Sequence, residues 1–100
     1  MSDSLTPTEG ARFLLERLAE HAVAAEYRAT IFTPSATHAG SAQLGDDGSA
    51  IVTIAGAPAE LVEVMHMLAK LTARSAAKKR EAGLPPWPAR VLRWRGPGRG

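Results

Sequence analysis

Cysteine is absent from the 100-residue chain. Its absence excludes disulfide bonds, thiol nucleophiles and cysteine-ligated zinc or iron–sulfur centres, and leaves histidines and carboxylates as the candidate metal ligands. Aromatic residues make up 5% of the sequence, so any core is modest. No stretch approaches the roughly 20 apolar residues of a membrane helix. The opening Met1, Ser2, Asp3, Ser4 has neither the basic start nor the apolar run of a signal peptide. A soluble, cytoplasmic chain with no membrane partner is the expectation. What is present is ordinary globular composition, 45% hydrophobic and 22% charged. That excludes a wholly disordered chain and, at this length, predicts a single small domain.

Charge is divided unevenly. Residues 1–66 hold Arg12, Arg17 and Arg28 against nine acidic groups (Asp3, Glu9, Glu16, Glu20, Glu26, Asp46, Asp47, Glu60, Glu63), a balance of −6. Residues 67–100 hold nine basic groups (Lys70, Arg74, Lys78, Lys79, Arg80, Arg90, Arg93, Arg95, Arg99) against Glu81, a balance of +8. Such segregation attracts phosphates, an acidic protein, or the acidic part of a second copy.

Thr6, Pro7 and Glu9 form a helix-start signal, and Ala11, Leu14, Leu15, Leu18, Ala22 and Ala25 follow the three-and-four spacing of one buried stripe. The spacing predicts a first helix to about Ala25. Phe13 falls opposite that stripe, as a surface ring or an anchor for a partner. Residues 27–33 are β-branched and aromatic and read as a strand. A weaker strand at 40–44, a turn at Gly45, Asp46, Asp47 and Gly48, and residues 49–54 read as a hairpin. A long helix is predicted from about Pro58 to Gly83, with Leu61, Val64, Met65, Leu68, Leu71 and Thr72 on one face. Pro85, Pro86, Trp87 and Pro88 are stiff and extended, residues 89–95 read as a short strand, and the last five residues as disordered.

Few groups are arranged for chemistry. Glu63 and His66 have the Glu-x-x-His spacing of di-iron bundles, but on the helical wheel they fall away from the apolar face, so no metal is expected. Met65 and Met67, which flank His66, fit packing. His21 and His38 lack a recognisable nucleophile or acid partner. Asp46 and Asp47, set between glycines, are turn chemistry. Gly56, Ala57 and Pro58 precede a helix, but without a glycine-rich phosphate motif and with Glu60 and Glu63 close by they read as a loop. No cofactor or catalytic set is indicated. The most suggestive residues are Lys78, Lys79, Arg80, Trp87, Arg90, Arg93, Trp94 and Arg95, since arginines grip phosphates, indoles stack on bases, and a Val91-to-Trp94 alternation also suits an edge-strand contact.

The predicted fold is α+β: an N-terminal helix, a three-stranded antiparallel sheet and a long second helix in residues 1–84, then a Pro/Trp/Arg-rich extended tail at 85–100 that contains the short fourth strand. This element order is similar to that of double-stranded RNA-binding domains. Their phosphate-gripping basic cluster opens the second helix, where this chain has Glu60 and Glu63, so no residue is carried over from them. The functional expectation is a small non-enzymatic interaction or assembly module, a homo-oligomer or the partner of an acidic protein, using the second helix and the Trp/Arg tail. Its alternative is a nucleic-acid-binding accessory protein acting through the basic and aromatic residues of the C-terminal third.

Overall fold

The computed structural model describes residues 9–95. Five strands, β1 (Ala11–Glu20), β2 (Ala24–Phe32), β3 (Thr37–Gly45), β4 (Ala50–Thr53) and β5 (Arg90–Arg95), form one antiparallel sheet in the order β4-β3-β2-β1-β5. One helix, α1 (Ala59–Glu81), joins β4 to β5.

The predicted N-terminal helix and three-stranded sheet are therefore corrected. The segment read as a helix is β1, the turn after it and the start of β2; Thr6 and Pro7 lie outside the described residues. β1 pairs with β2 on one side and β5 on the other, and Phe13, Leu14 and Leu15 are buried in succession. Leu14 lies on the face turned away from the core yet is buried between its cross-strand neighbours Leu92 and Thr30, so alternation gives way to a short apolar run, and in a short window that run imitates a helical stripe. Two hydrogen-bonded ladders outweigh the helix propensity of its Ala, Leu, Glu and Arg residues. The order that resembled double-stranded RNA-binding domains is thus not the observed one.

Strand register divides the sheet into two faces. One carries Phe13, Leu15, Ala25, Tyr27, Ala29, Ile31, Ala42 and Leu44, which form the core with Met65, Leu68, Ala69, Ala73 and Ala76 of α1. Alanines in both layers let the helix lie close, and α1 rests over β4 and β3 with a smaller contact on β2. Leu71, predicted on the buried face, is instead exposed, because the stripe runs through Met65, Leu68, Ala69, Thr72, Ala73 and Ala76. The helix leaves the β1 side of the core uncovered, and the segment after it closes that gap. Trp87 is 1% exposed and packs into the core, so the residues read as an extended tail belong to the domain.

Turns are set by local chemistry. At the end of α1, Gly83 has φ 77°; its N–H donates to Arg80 C=O (3.0 Å) and the Leu84 N–H to Lys79 C=O (2.8 Å), the paired bonds of a glycine helix stop. Gly48 has φ 91° in the β3–β4 turn, where the Asp47 carboxylate accepts from the Ser49 N–H (3.0 Å) and hydroxyl (2.6 Å). Those bonds, the hydroxyl's foremost, hold the Asp47 pKa below its usual value. The hairpin expected at this turn is the β3–β4 pair.

Tyr27 ties the strap between α1 and β5, residues 82–89, to the sheet: its hydroxyl donates to Pro88 C=O at 2.7 Å, and burial pushes its pKa up to about 12. The folded state therefore holds this proton more tightly than the unfolded chain, whose tyrosine titrates near pH 10. The stabilisation is whole below pH 10 and is lost as the pH climbs toward 12. Tyr27 is the only tyrosine in the chain. Tyrosinate absorbance should stay suppressed in the native protein between those pH values and appear on unfolding, while the denaturant midpoint falls over the same interval.

Candidate interaction surface

β5 and the sheet face turned away from α1 carry the residues in question. Register places Trp94, Arg12, Phe32 and Thr37 in one row across this face. Leu92, Leu14, Thr30 and Ala39 form the next row, and Arg90, Glu16, Arg28, Ser41 and Thr53 the one after. Leu14 and Thr30 are buried beneath their neighbours, whereas Trp94 is 53% exposed, with its indole N–H donating to Glu9 C=O at 3.3 Å. Glu16, between Arg90 and Arg28, makes an alternating charge row of the kind that favours cross-strand pairing.

β5 also ends the sheet. Among the described residues no strand pairs with its outer edge, and α1 lies over the opposite half of the sheet. The other edge strand, β4, has four residues to the six of β5 and is packed against α1. Short, covered edges are the usual protection against unwanted pairing; β5 has length and an exposed indole.

The predicted contact residues separate into three environments. Arg90, Arg93, Trp94 and Arg95 are exposed on β5. Lys78, Lys79 and Arg80 form the last helical turn, favourably placed at the negative end of the helix dipole. Arg80 is engaged internally, bonding the Asp46 carboxylate and donating to Ala22 C=O at 3.1 Å, so that it clasps the helix end to the two turns beneath. Trp87 is in the core, where it makes no surface contact. Phe13, proposed as a surface ring or partner anchor, is likewise a core residue at 1% exposure, because on a strand it alternates with Leu14 onto the helix side.

Glu63 is exposed, but His66, expected in solvent, is half-buried and its Nε2 lies 3.1 Å from Ala50 C=O. Its ring braces α1 on β4. No group of three metal-ligating side chains occurs among the described residues, and no described helix is long and apolar enough to cross a membrane. His21 pairs with exposed Glu26 at 3.0 Å.

The contributions of Arg12, Leu14, Arg28 and Phe32 to the open face were missed from sequence. For β2 the signal is present: Ala25, Tyr27, Ala29 and Ile31 alternate with Glu26, Arg28, Thr30 and Phe32, a period of two. For β1 that signal is broken, because Leu14 on the open face is apolar and buried, so that Phe13, Leu14 and Leu15 run together. No family model, curated protein or solved structure matches this chain.

Proposed function

We propose that this chain is a non-enzymatic protein-interaction module that self-associates, with the outer edge of β5 and the adjoining sheet face as its contact. The observation that carries this reading is Trp94, 53% exposed on a six-residue strand that ends the sheet. An unpaired edge offers a row of backbone donors and acceptors to another strand, and a neighbouring indole supplies the apolar anchor that interfaces favour. The core is small, so burial against a second copy also adds stability by mass action.

Light scattering across a concentration series tests it. The wild-type mass should rise toward a dimer, and Trp94→Ala should weaken association by about tenfold or more. Because Trp94 lies on the surface, the melting temperature of the isolated variant should change little. A mass that stays monomeric throughout the series ends this reading.

A second reading, contact with single-stranded nucleic acid, is favoured by Arg12, Arg28 and Arg90 sharing a face with Trp94 and Phe32, since bases stack on aromatic rings while arginines hold phosphates. Trp94 fluorescence separates the two. Quenching by an oligonucleotide that weakens steeply with salt supports nucleic acid, whereas quenching that tracks protein concentration supports self-association.

A further inference from the structure

The sequence of β5, Arg90-Val91-Leu92-Arg93-Trp94-Arg95, limits the registers in which a second copy of the strand can pair with it. In an antiparallel pair, residues directly opposite each other point to the same face. If a second β5 joins the edge so that both sheets continue as one, the pairing must bring together residues of equal parity. Four such registers place β5 against β5 near its middle, and charge distinguishes them: centring on Trp94 sets Arg93 directly against Arg95 on both sides of the axis. Centring on Arg93 sets two guanidiniums directly opposite each other. Centring on Val91 draws Trp87 and Pro88 into the pairing, yet Trp87 is buried in the core and Pro88 accepts the Tyr27 hydrogen bond. Centring on Leu92 places Leu92 against Leu92, Arg90 against Trp94 and Val91 against Arg93, and no arginine directly opposite another.

We infer that the partner at this edge is a second copy of the chain, paired β5 to β5 with Leu92 on the two-fold axis; this rests on the self-association proposed above. Two rows of the open face then continue into the second copy. Leu14 and Leu92, already cross-strand neighbours, then meet Leu92 and Leu14 of the second copy, four consecutive leucines across the junction. The exposed Trp94 receives a guanidinium from the other chain, in a geometry suited to a cation–π contact. The arginines that would repel an arbitrary strand are accommodated in this register, so the edge selects its own sequence.

The absence of cysteine makes single-cysteine variants unambiguous. Leu92→Cys, Arg93→Cys and Arg95→Cys are each oxidised under mild conditions after light scattering of the reduced protein. In the inferred register the two Leu92 positions have Cα atoms about 5 Å apart, within disulfide range. The two Arg95 positions, six residues out of step, are about 20 Å apart. Leu92→Cys should therefore cross-link at least tenfold faster than Arg95→Cys. Arg95 is exposed, so a nitroxide attached to Arg95→Cys gives a measurement that does not disturb the core: its distance distribution should correspond to a backbone separation of about 20 Å. A dimer by scattering in which Arg93→Cys cross-links fastest, or in which the Arg95 labels lie at about 13 Å, overturns the register and leaves self-association standing. A monomer at every concentration overturns both.

Discussion

Trp87→Ala should lower the stability of the domain by about 3–5 kcal/mol, the range for removing a buried aromatic side chain. For a domain of this size each kcal/mol lowers the melting temperature by about 4–8 °C. The expected magnitude follows from position. α1 covers β4 and β3, and the β1 side of the core lies beneath the strap that carries this indole. The strap is fastened at three points: Tyr27 Oη donates to Pro88 C=O at 2.7 Å, the Arg17 guanidinium to Trp87 C=O at 2.6 Å, and the Arg17 N–H to Ala89 C=O at 2.9 Å. Truncation leaves a cavity that these bonds keep from collapsing. Trp87→Phe should be much milder. The Trp87 indole N–H is buried and has no hydrogen-bond partner among the described residues, a condition that costs about 1–3 kcal/mol, and its removal offsets part of the lost packing. Thermal melts of both variants beside wild type make the comparison. Equal losses from the two would show that the strap, and not the ring's volume, determines the effect.

Gly40→Ala should destabilise by about 3 kcal/mol or more, the upper range for overpacking a filled site. Gly40 lies in β3 beside the point where the chain leaves β4 for the helix. A Cβ there would run into the Thr53 carbonyl oxygen and would lie 2.8 Å from both Cα and Cγ1 of Ile54. Two of those atoms are backbone, so relief requires the end of β4 to move, and with it the start of α1. The backbone of Gly40 is not left-handed; the requirement is for space. Gly56, by contrast, has φ 82° and nothing within 4 Å of an added Cβ. Gly56→Ala tests backbone conformation alone and should cost about 1 kcal/mol. Chemical denaturation of the two variants separates a close approach from a turn requirement.

How much of this could be read in the sequence depended on whether each element carried its own local signal. The β3–β4 hairpin was readable because Gly45, Asp46, Asp47 and Gly48 mark its turn. The helix was readable because its first turn carries Glu60 and its last Lys78, Lys79 and Arg80, with Gly83 as the stop. β5 was readable as a short strand. β1 was not, because the apolar Leu14 on its outer face breaks the alternation and the connection to β2 contains no glycine, proline or asparagine. That connection runs through His21, Ala22 and Val23, closed by His21 N–H donating to Ala24 C=O at 2.8 Å. With no turn signal to divide them, β1, the turn and the start of β2 read as one continuous helical stripe. The same error displaced Phe13, which a helical wheel puts outside and a strand puts inside. For the proposed contact surface the sequence indicated Trp94 and the β5 arginines. It could not distinguish Trp94 from Trp87, since exposure of an indole flanked by prolines depends on the part of the sheet that a distant helix leaves bare.

The pairing of β1 with β5 also sets an order of events when the chain is made. Synthesis runs from the N-terminus, so β1 emerges long before its second neighbour; register joins Ala11 to Arg95 and Glu16 to Arg90 across most of the described chain. Until that partner arrives, β1 is itself an edge, bearing three consecutive apolar residues, and the indole that seals the core beneath it is still inside the ribosome. Contacts so distant in sequence slow folding, and they lengthen the time for which apolar surface is open to chaperones or to other nascent chains. A translational pause before residue 87 would therefore hold this protein in its most adhesive state, with four strands and a helix synthesised and the first strand still unpaired on one side.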